Sequence, residues 1–298
     1  MHLPHPKDWI ELRSDGLSVA IDPQGAQLSH LRDAQGRELL WNGDPAHWTG
    51  RAPILFPIVG SLQDGQYRWR QNTYALPRHG FARGRRFEVV SRDRHAVLMR
   101  LRDDEASRAV YPFAFELDVV FRVEGWQLSM EARVHNRGEE PMPASLGFHP
   151  AFRWPLPYGS ARSAHFIDFE HDEPTHVRRL DKAGLLTAVR HSTPVRGSRL
   201  SLEDSLFVDD ALIFEDLESR SLVYGAEEGP HLRVEFDEAN FLGLWTKPGA
   251  GFVCIEPWHG VSDPVDFRGE LDAKPGISLL SPGGRQQLSM RVECLPEG

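Results

Sequence analysis

A carboxylate near the end of the chain is placed for proton transfer. Glu256 closes an apolar, strand-like segment, residues 252–256, and Pro257 and Trp258 follow it directly. Apolar surroundings would raise the pKa of this carboxyl toward that of a usable general base. A carboxylate at the end of a strand is more commonly exposed and inert. The neighbouring indole favours the chemical interpretation, because it offers a flat apolar surface beside the carboxylate.

Two histidines could supply the matching acid. His149 follows Phe148 and is bracketed by a second aromatic residue, Phe152, while His79 lies in residues 78–83 between two arginines. A lone histidine beside aromatic rings is more often structural than catalytic, and Gly80 suggests a simple tight turn next to His79. One base and one acid held across a concave apolar site are, however, what proton transfer on a neutral polyol requires.

A metal centre is the main alternative use of these side chains. His79, His149 and Glu256 together would form a set of two histidines and one carboxylate. The sequence has no HxH or HExxH spacing, and Cys254 and Cys294 show no CxxC pattern. Both cysteines are predicted to be small buried residues without a disulfide. No glycine-rich phosphate loop or dinucleotide fingerprint is present, so we predict no metal and no cofactor.

The charge balance excludes several classes of partner. The chain has 34 basic and 43 acidic residues, with a formal net charge of -9. This balance argues against nucleic acid and against anionic membrane surfaces, and the arginines near residue 85 form only a local cluster. Residues 1–8 contain no signal-peptide core, and no later run approaches the length of a membrane span. These features predict a soluble, cytoplasmic protein.

The segments that must position these residues show apolar and polar residues alternating with a period of two. Apolar residues occupy the odd positions from 113 to 123 and the even positions from 128 to 134, and polar residues alternate with them. The two runs are joined by a short turn that contains Gly125. Such a pair of alternating runs predicts a β-hairpin.

Further short strands are predicted at residues 17–21, 87–91, 96–102, 211–215, 222–225, 231–236, 252–256 and 287–294. Helical periodicity is scarce, and the 26 glycines and 22 prolines lie mainly between the strands. Residues 155–164 and 172–197 are polar and irregular, which predicts long loops. Many short strands with almost no helix indicate an all-β sandwich or barrel. Since no repeat or linker interrupts the pattern, residues 1–298 are expected to form a single domain.

Several short motifs occur in one fixed order along the chain: WNGD at 41–44, APILFPIVG at 52–60, HGFAR at 79–83, GFHP at 147–150, LWTKP at 244–248 and IEPWHG at 255–260. In this order they resemble the motifs of aldose 1-epimerases, and more narrowly those of the LacX-like branch of the galactose mutarotase superfamily. The resemblance spans most of the chain. It implies a large antiparallel β-sandwich, often called a supersandwich.

The resemblance also implies roles for individual residues. Glu256 matches the base that removes the proton of the anomeric hydroxyl, and His149 matches the acid that protonates the ring oxygen. His79 matches a histidine that hydrogen-bonds substrate near the reacting centre, and Arg83 resembles a cation that reaches substrate oxygens. None of these roles needs a cofactor.

Three further positions bear on substrate binding. Asp210 resembles an aspartate that clamps sugar hydroxyls, although Asp209 is open as an alternative and either could simply shape a turn. Trp258 is a natural stacking surface, although a tryptophan more often fills a core. Ser61 stands about where galactose mutarotases carry an arginine, and this departure leaves the preferred sugar open.

The expected activity is therefore interconversion of the α and β anomers of a free hexose. A hexose-6-phosphate 1-epimerase is the nearest alternative, since HGFAR also occurs in that branch and the nearby arginines could hold phosphate. A carbohydrate-binding protein without turnover is a third, because fold does not dictate function. The expected partner is a small sugar, and the oligomeric state is left open.

Overall fold

The computed structural model describes residues 8–296 of the chain, so the segment 1–7 considered above lies outside it. Within that range antiparallel strands predominate. The strands are β1 Ile10–Arg13, β2 Leu17–Asp22, β3 Gln27–Asp33, β4 Ile54–Leu55, β5 Gln66–Trp69, β6 Asn72–Ala75, β7 Glu88–Arg92, β8 Ala96–Arg102, β9 Phe115–Glu124, β10 Gln127–Asn136, β11 Met142–Ala144, β12 Leu146–Phe148, β13 Ala151–Arg153, β14 His165–Phe169, β15 Val177–Arg178, β16 Arg199–Ser201, β17 Leu212–Phe214, β18 Ser221–Ala226, β19 His231–Glu235, β20 Phe241–Trp245, β21 Phe252–His259, β22 Ser278–Leu280 and β23 Arg285–Leu295.

Helix is limited to short pieces over the same range. The α-helix is α1 Glu105–Val110, and the 3-10 helices are Gln63–Gly65, Ala82–Gly84, Arg162–Ala164, Asp204–Phe207 and Leu271–Ala273. No helix in residues 8–296 has the length and apolar character needed to cross a membrane.

The predicted hairpin is confirmed as β9 and β10. The two strands pair antiparallel with Val123 opposite Leu128 and Phe121 opposite Met130. Gly125 has a φ of 53° in the turn between them, a backbone conformation that glycine adopts without steric cost. The alternating apolar side chains of both strands are buried, which shows that the period-two pattern marks the face turned to the core.

Two large sheets form the body of the molecule. The nine-stranded sheet has the order β16-β14-β18-β19-β23-β10-β9-β8-β7, and the seven-stranded sheet has the order β15-β17-β20-β21-β12-β4 with β13 also paired to β21. One apolar core joins them: it contains Phe121 and Met130 of the first sheet and Leu244 and Ile255 of the second. The predicted all-β antiparallel sandwich is therefore confirmed.

Among the predicted strand boundaries, the largest error is at the end of the strand that contains Glu256. β21 does not end at residue 256 but continues through Pro257 to His259. Proline normally argues against a central strand because it lacks an N–H to donate. Here the missing donor faces the gap between β12 and β13 in the neighbouring strand, so no ladder hydrogen bond is lost. Glu256 consequently lies in the middle of a strand that is buried along its whole length.

Candidate active site

The six residues singled out from the sequence line one cavity, which measures about 710 Å³ including its open mouth. They are His79, Arg83, His149, Asp210, Glu256 and Trp258. The remaining walls come from Trp48, Val59, Gly60, Arg78, Leu180, Ala211, Ile213, Trp245 and Ser262. This mixture of apolar walls with a few polar groups is typical of a site for a small molecule.

Alternation along β21 brings Glu256 into the cavity. Val253 and Ile255 belong to the core between the two sheets, whereas Glu256 and Trp258 point to the opposite side and line the cavity. Loops cover that side, so Glu256 is only 2% exposed. A carboxyl group with so little access to water is destabilised in its charged form.

His149 lies in a break between two strands. β12 pairs with β21 through Gly147 opposite Trp258, and β13 pairs with it through Ala151 opposite Cys254. The register is the same on both sides of the break, so His149 falls opposite Glu256. Its Nε2 is 3.2 Å from Oε2 of that carboxyl group.

The same break accommodates Pro257. The N–H of Ile255 donates to the carbonyl of Pro150 across the break, at 3.3 Å. Backbone groups alternate sides along a strand, so the nitrogen of Pro257 faces the break as well. The two motifs GFHP and IEPW thus fit each other: the break between β12 and β13 lies where Pro257 of the continuous strand β21 has no N–H to donate.

Aromatic rings hold the imidazole of His149. Trp48 stacks on it with ring centroids 4.9 Å apart and planes at 29°. Trp245 and His79 meet it edge-on, at 5.8 Å and 5.6 Å. Its Nδ1 atom is buried and has no hydrogen-bond partner from another described residue. Packing therefore fixes the orientation of this ring, with Nε2 directed at Glu256.

His79 has its tautomer set by the backbone. The N–H of Gly60 donates to Nδ1 of His79 at 3.1 Å, so Nδ1 is unprotonated and Nε2 carries the proton. His79 has a φ of 67° and Gly80 one of 70°. A Cβ at position 80 would lie 2.2 Å from the carbonyl oxygen of Phe56, so only glycine fits. The strained turn delivers a neutral imidazole donor to the cavity.

Burial also sets the protonation of the central pair. It raises the pKa of Glu256 well above its ordinary value of 4.5, an effect that Arg78 partly opposes and Asp210 strengthens. It lowers the pKa of His149 to about 3, with Arg78 acting in the same direction. Burial likewise lowers the pKa of His79, and His149 and Arg78 add to that shift. All three groups are therefore favoured in their neutral forms when the cavity is free.

Two arginines at the mouth of the cavity differ in their ion pairing from two arginines that follow them in the sequence. Arg85 and Arg86 form ion pairs with Asp104 and Asp8. Arg78 and Arg83 have no carboxylate within ion-pairing distance in residues 8–296; Nη2 of Arg83 donates to the carbonyl of Arg78 at 2.8 Å. Arg78 was missed as a site residue, although it stands directly before His79 in the sequence.

An arginine from another part of the chain lies near Ser61. Ser61 is buried, and its N–H donates to Oγ of Ser262 in the cavity wall at 3.0 Å. A Cβ on Gly184 would be 2.8 Å from Oγ of Ser61 and 3.3 Å from Nη1 of Arg78. The guanidinium of Arg78 therefore lies close to Ser61, where the sequence resemblance leads one to expect an arginine.

Asp210, not Asp209, lines the cavity; Asp209 borders a separate surface depression. Asp210 has a φ of 65°, and its Oδ1 accepts from the N–H of Ala211 at 2.7 Å. This turn directs the carboxylate inward just before β17. The indole of Trp258 lies over β20, where a Cβ on Gly243 would come within 2.4 Å of the ring.

Two further residues were missed, Trp48 and Trp245. Trp245 belongs to the LWTKP motif but was not chosen as a site residue. Trp48 lies in the irregular segment that precedes β4, and only its position over the imidazole of His149 marks it out. An isolated tryptophan in a loop carries no sequence signal that it will meet a residue one hundred positions away.

A β-sandwich that holds a buried carboxyl–imidazole pair in an aromatic cavity defines a protein equipped for general acid–base chemistry on a small polar molecule. The sequence profile of aldose 1-epimerases matches residues 8–271. The chain is 34% identical over 297 residues to the chromosomally encoded protein LacX of Lactococcus lactis subsp. lactis. This alignment covers 96% of the present chain and 99% of LacX. The chain belongs to the aldose 1-epimerase family.

Solved structures of related proteins have a similar fold. The fold is similar to that of a galactose mutarotase related enzyme from Lactobacillus acidophilus, with a TM-score of 0.91 and 32% identity over 97% of this chain and 98% of that one. It is also similar to a galactose mutarotase-like protein from Lactobacillus casei ATCC 334, with a TM-score of 0.90 and 27% identity over 96% and 99%. The family resemblance predicted from the motifs is confirmed.

Proposed function

We propose that this protein is an aldose 1-epimerase, acting as a single domain on a free hexose and interconverting its α and β anomers. The observation that carries the proposal is the contact of 3.2 Å between Nε2 of His149 and Oε2 of Glu256 at the floor of the cavity. Opening a sugar ring requires removal of a proton from the C1 hydroxyl and delivery of a proton to the ring oxygen. One positioned pair can perform both transfers.

The reaction conserves protons within the pair. In the reactive complex Glu256 is a carboxylate and His149 an imidazolium. Glu256 takes the C1 hydroxyl proton as the C1–O5 bond breaks, and His149 gives its proton to O5, which yields the open-chain aldehyde. Rotation about C1–C2 turns the carbonyl, and closure with both transfers reversed gives the other anomer. The pair then has its starting protonation again.

Burial assists the opening step. The reactive form of the pair contains two charges, whereas the form present with the aldehyde contains a neutral carboxylic acid and a neutral imidazole. Burial raises the pKa of Glu256 and lowers that of His149, so it favours the neutral form. Ring opening therefore proceeds toward the protonation state that the cavity stabilises. Each group is expected to contribute ~10²–10⁴-fold to the rate.

The other cavity residues serve to bind and orient the sugar. His79 donates its Nε2–H to an oxygen near C1, since its Nδ1 is occupied by the backbone. Asp210 accepts from sugar hydroxyls, and Arg83 donates to sugar oxygens at the mouth. Trp258 offers its flat face to the ring carbons, an arrangement that buries apolar surface without using a polar group.

Polarimetry of fresh α-D-glucose and α-D-galactose tests this function. With the protein present, optical rotation should reach its equilibrium value faster than in buffer, in proportion to the protein concentration. Rates equal to the buffer rate for both sugars and for their 6-phosphates would contradict the proposal and favour a binding protein without turnover.

A hexose-6-phosphate 1-epimerase is the second candidate, and one observation favours it. Arg78 and Arg83 are the cations of the cavity mouth, and within residues 8–296 neither is neutralised by a carboxylate, unlike the adjacent Arg85 and Arg86. Arginine binds phosphate through two parallel hydrogen bonds of high strength. Against it, Asp210 and Glu256 place two acidic groups in the same cavity.

A further inference from the structure

Three potential metal-ligand atoms converge beneath the cavity. An imidazole nitrogen of His149, Sγ of Cys254 and a carboxylate oxygen of Glu256 all lie within 4.8 Å of one another, and all three residues are buried. The set differs from the one considered from the sequence, because Cys254 takes the place of His79. Cys254 and Glu256 are two positions apart on one face of β21, and the break between β12 and β13 places His149 opposite.

We infer that these three side chains form an inhibitory site for a thiophilic divalent cation of the zinc class. The inhibition rests on the proposed function, since an ion bound there occupies both members of the proton-transfer pair. The binding itself does not depend on that function. Zinc would thus act as a competitor of the sugar and not as a cofactor of the reaction.

The donor set suits zinc in chemistry and in number. Zinc accepts imidazole nitrogen, thiolate sulfur and carboxylate oxygen, and sites with three protein ligands keep a fourth position for water. Bonds of about 2.0–2.1 Å to nitrogen or oxygen and about 2.3 Å to sulfur place neighbouring ligand atoms roughly 3.3–3.6 Å apart. His149 and Glu256 are already at 3.2 Å, so the main adjustment is an approach of Sγ.

Charge balance also favours a doubly charged cation. The ion replaces the thiol proton of Cys254 and the single proton that His149 and Glu256 share, and both protons pass to solvent. One thiolate and one carboxylate then neutralise the ion, which leaves no net charge in a buried place. Because His149 and Glu256 line the cavity, the ion would enter from that side.

Cys254 provides a clean test, because it does not line the cavity and has no part in the proposed reaction. Besides His149 and Glu256 it packs with apolar residues, among them Trp41 and Phe252. Cys294 is the other free cysteine, buried as well, and belongs to the core between the sheets. Replacing Cys294 therefore matches the chemical change without touching the site.

The binding experiment uses the full chain, stripped with a chelator, and Cd²⁺ as a spectroscopic stand-in for Zn²⁺. Wild type and Cys294→Ser should show a thiolate-to-metal charge-transfer band that saturates at one ion per chain and is displaced by Zn²⁺. Cys254→Ser and Cys254→Ala should lack the band and bind Zn²⁺ about 100-fold more weakly or worse, since even a residue behind a ligand changes affinity by 10–100-fold. Circular dichroism and thermal melting confirm folding of each variant.

The kinetic experiment is separate. Zn²⁺ should raise the apparent KM of wild-type mutarotation and leave kcat unchanged, a chelator should reverse the effect, and Cys254→Ser should turn over normally without inhibition. If wild type and both folded Cys254 variants bind Zn²⁺ with equal affinity, Cys254 is not a ligand and the proposed metal site is wrong. If Zn²⁺ binds in a way that depends on Cys254 but does not inhibit mutarotation, the inhibitory role of the site is wrong. If no variant shows mutarotation, the proposed function fails while the Cd²⁺ titration still decides the metal site.

Discussion

Glu256 and His149 face each other across a strand pair at the one place where that pair is interrupted. The residues on either side of the break pair in a single register, Gly147 with Trp258 and Ala151 with Cys254. Side chains at opposite positions of neighbouring strands lie close enough to interact. The contact of 3.2 Å between the imidazole and the carboxyl group is therefore a property of the sheet and needs no loop to close.

Glu256→Gln should abolish catalysed mutarotation. The amide has nearly the same shape as the carboxyl group but cannot take the C1 hydroxyl proton, so the rate should fall ~10²-fold or more. The measurement is polarimetric, with the uncatalysed rate subtracted, and thermal melting checks the fold. Glu228→Gln, an exposed carboxylate outside the cavity, is the control and should keep the wild-type rate. A wild-type rate in Glu256→Gln would remove this residue from the mechanism.

His149→Asn should lose turnover and retain part of the sugar affinity. The acid is needed mainly as charge develops on the ring oxygen, so its loss affects kcat more than binding. Polarimetry gives kcat, and calorimetric titration with galactose and with glucose gives the affinity. His176→Asn, at an exposed position, serves as the control. Normal turnover by His149→Asn would show that this histidine has only a structural role.

Local sequence identifies these two residues, but their pairing depends on a register between segments more than one hundred positions apart. Each strand predicted from alternation overlaps a strand of the structure, because alternation reports directly which face is buried. Shorter strands such as β4 and β12 were not predicted from it. The predicted end of β21 is wrong because Pro257 is tolerated only opposite the break, which is not visible in the strand itself. Trp48 was missed for the same reason, since its partner His149 is distant in sequence. Arg78 was missed although it stands directly before His79.

His149 should also make stability depend on pH. Its pKa is about 3 in the folded protein and 6.5 ordinarily, so between these values the unfolded chain binds a proton that the folded chain does not. The free energy of unfolding should therefore fall as pH falls from 6.5 toward about 3. Glu256 acts in the opposite sense, since its raised pKa makes the folded chain retain a proton as pH rises above 4.5.

His149→Asn removes the contribution of the histidine and leaves Glu256 in place, so its stability should decline less steeply in acid. Urea unfolding of both proteins at a series of pH values measures the difference. Parallel curves between pH 6.5 and about pH 3 would show that burial does not lower the pKa of His149.

Lys274 and Asp263 form a buried ion pair behind the cavity wall. Nζ of Lys274 is 2.6 Å from Oδ1 of Asp263, with side-chain exposures of 0% and 3%. Lys274→Met leaves a buried carboxylate without its cation and should cost about 3–5 kcal/mol in the free energy of unfolding. Adding Asp263→Asn should recover part of that loss, because the amide is neutral and still accepts from the N–H of Gln63.

Urea unfolding measures all three proteins, with Lys182→Met, at an exposed lysine, as a control that should change stability by no more than about 0.5 kcal/mol. An equal, small effect at both lysines would mean that the buried pair contributes little to the fold.

The unpaired arginines separate the two candidate substrates. For a neutral hexose, Arg83 can form only hydrogen bonds to hydroxyls, so attraction between opposite charges adds nothing to recognition. For a hexose 6-phosphate, Arg78 and Arg83 would meet a phosphate group in a partly desolvated cleft, where bidentate contacts are strong. We expect the neutral sugar to be used at least as well as its phosphate, with an efficiency that depends only weakly on salt.

The measurement is kcat/KM for glucose, galactose and their 6-phosphates at low and high ionic strength, in wild type, Arg83→Ala and Arg86→Ala. Arg86→Ala is the matched control, because it removes the same charge close to the cavity. Arg86 does not line the cavity and forms an ion pair with Asp8. A large preference for the phosphates that collapses as salt screens the charge would favour the second candidate. If that preference also disappears in Arg83→Ala and persists in Arg86→Ala, the phosphate is bound by the cavity arginines, and the substrate is the hexose 6-phosphate.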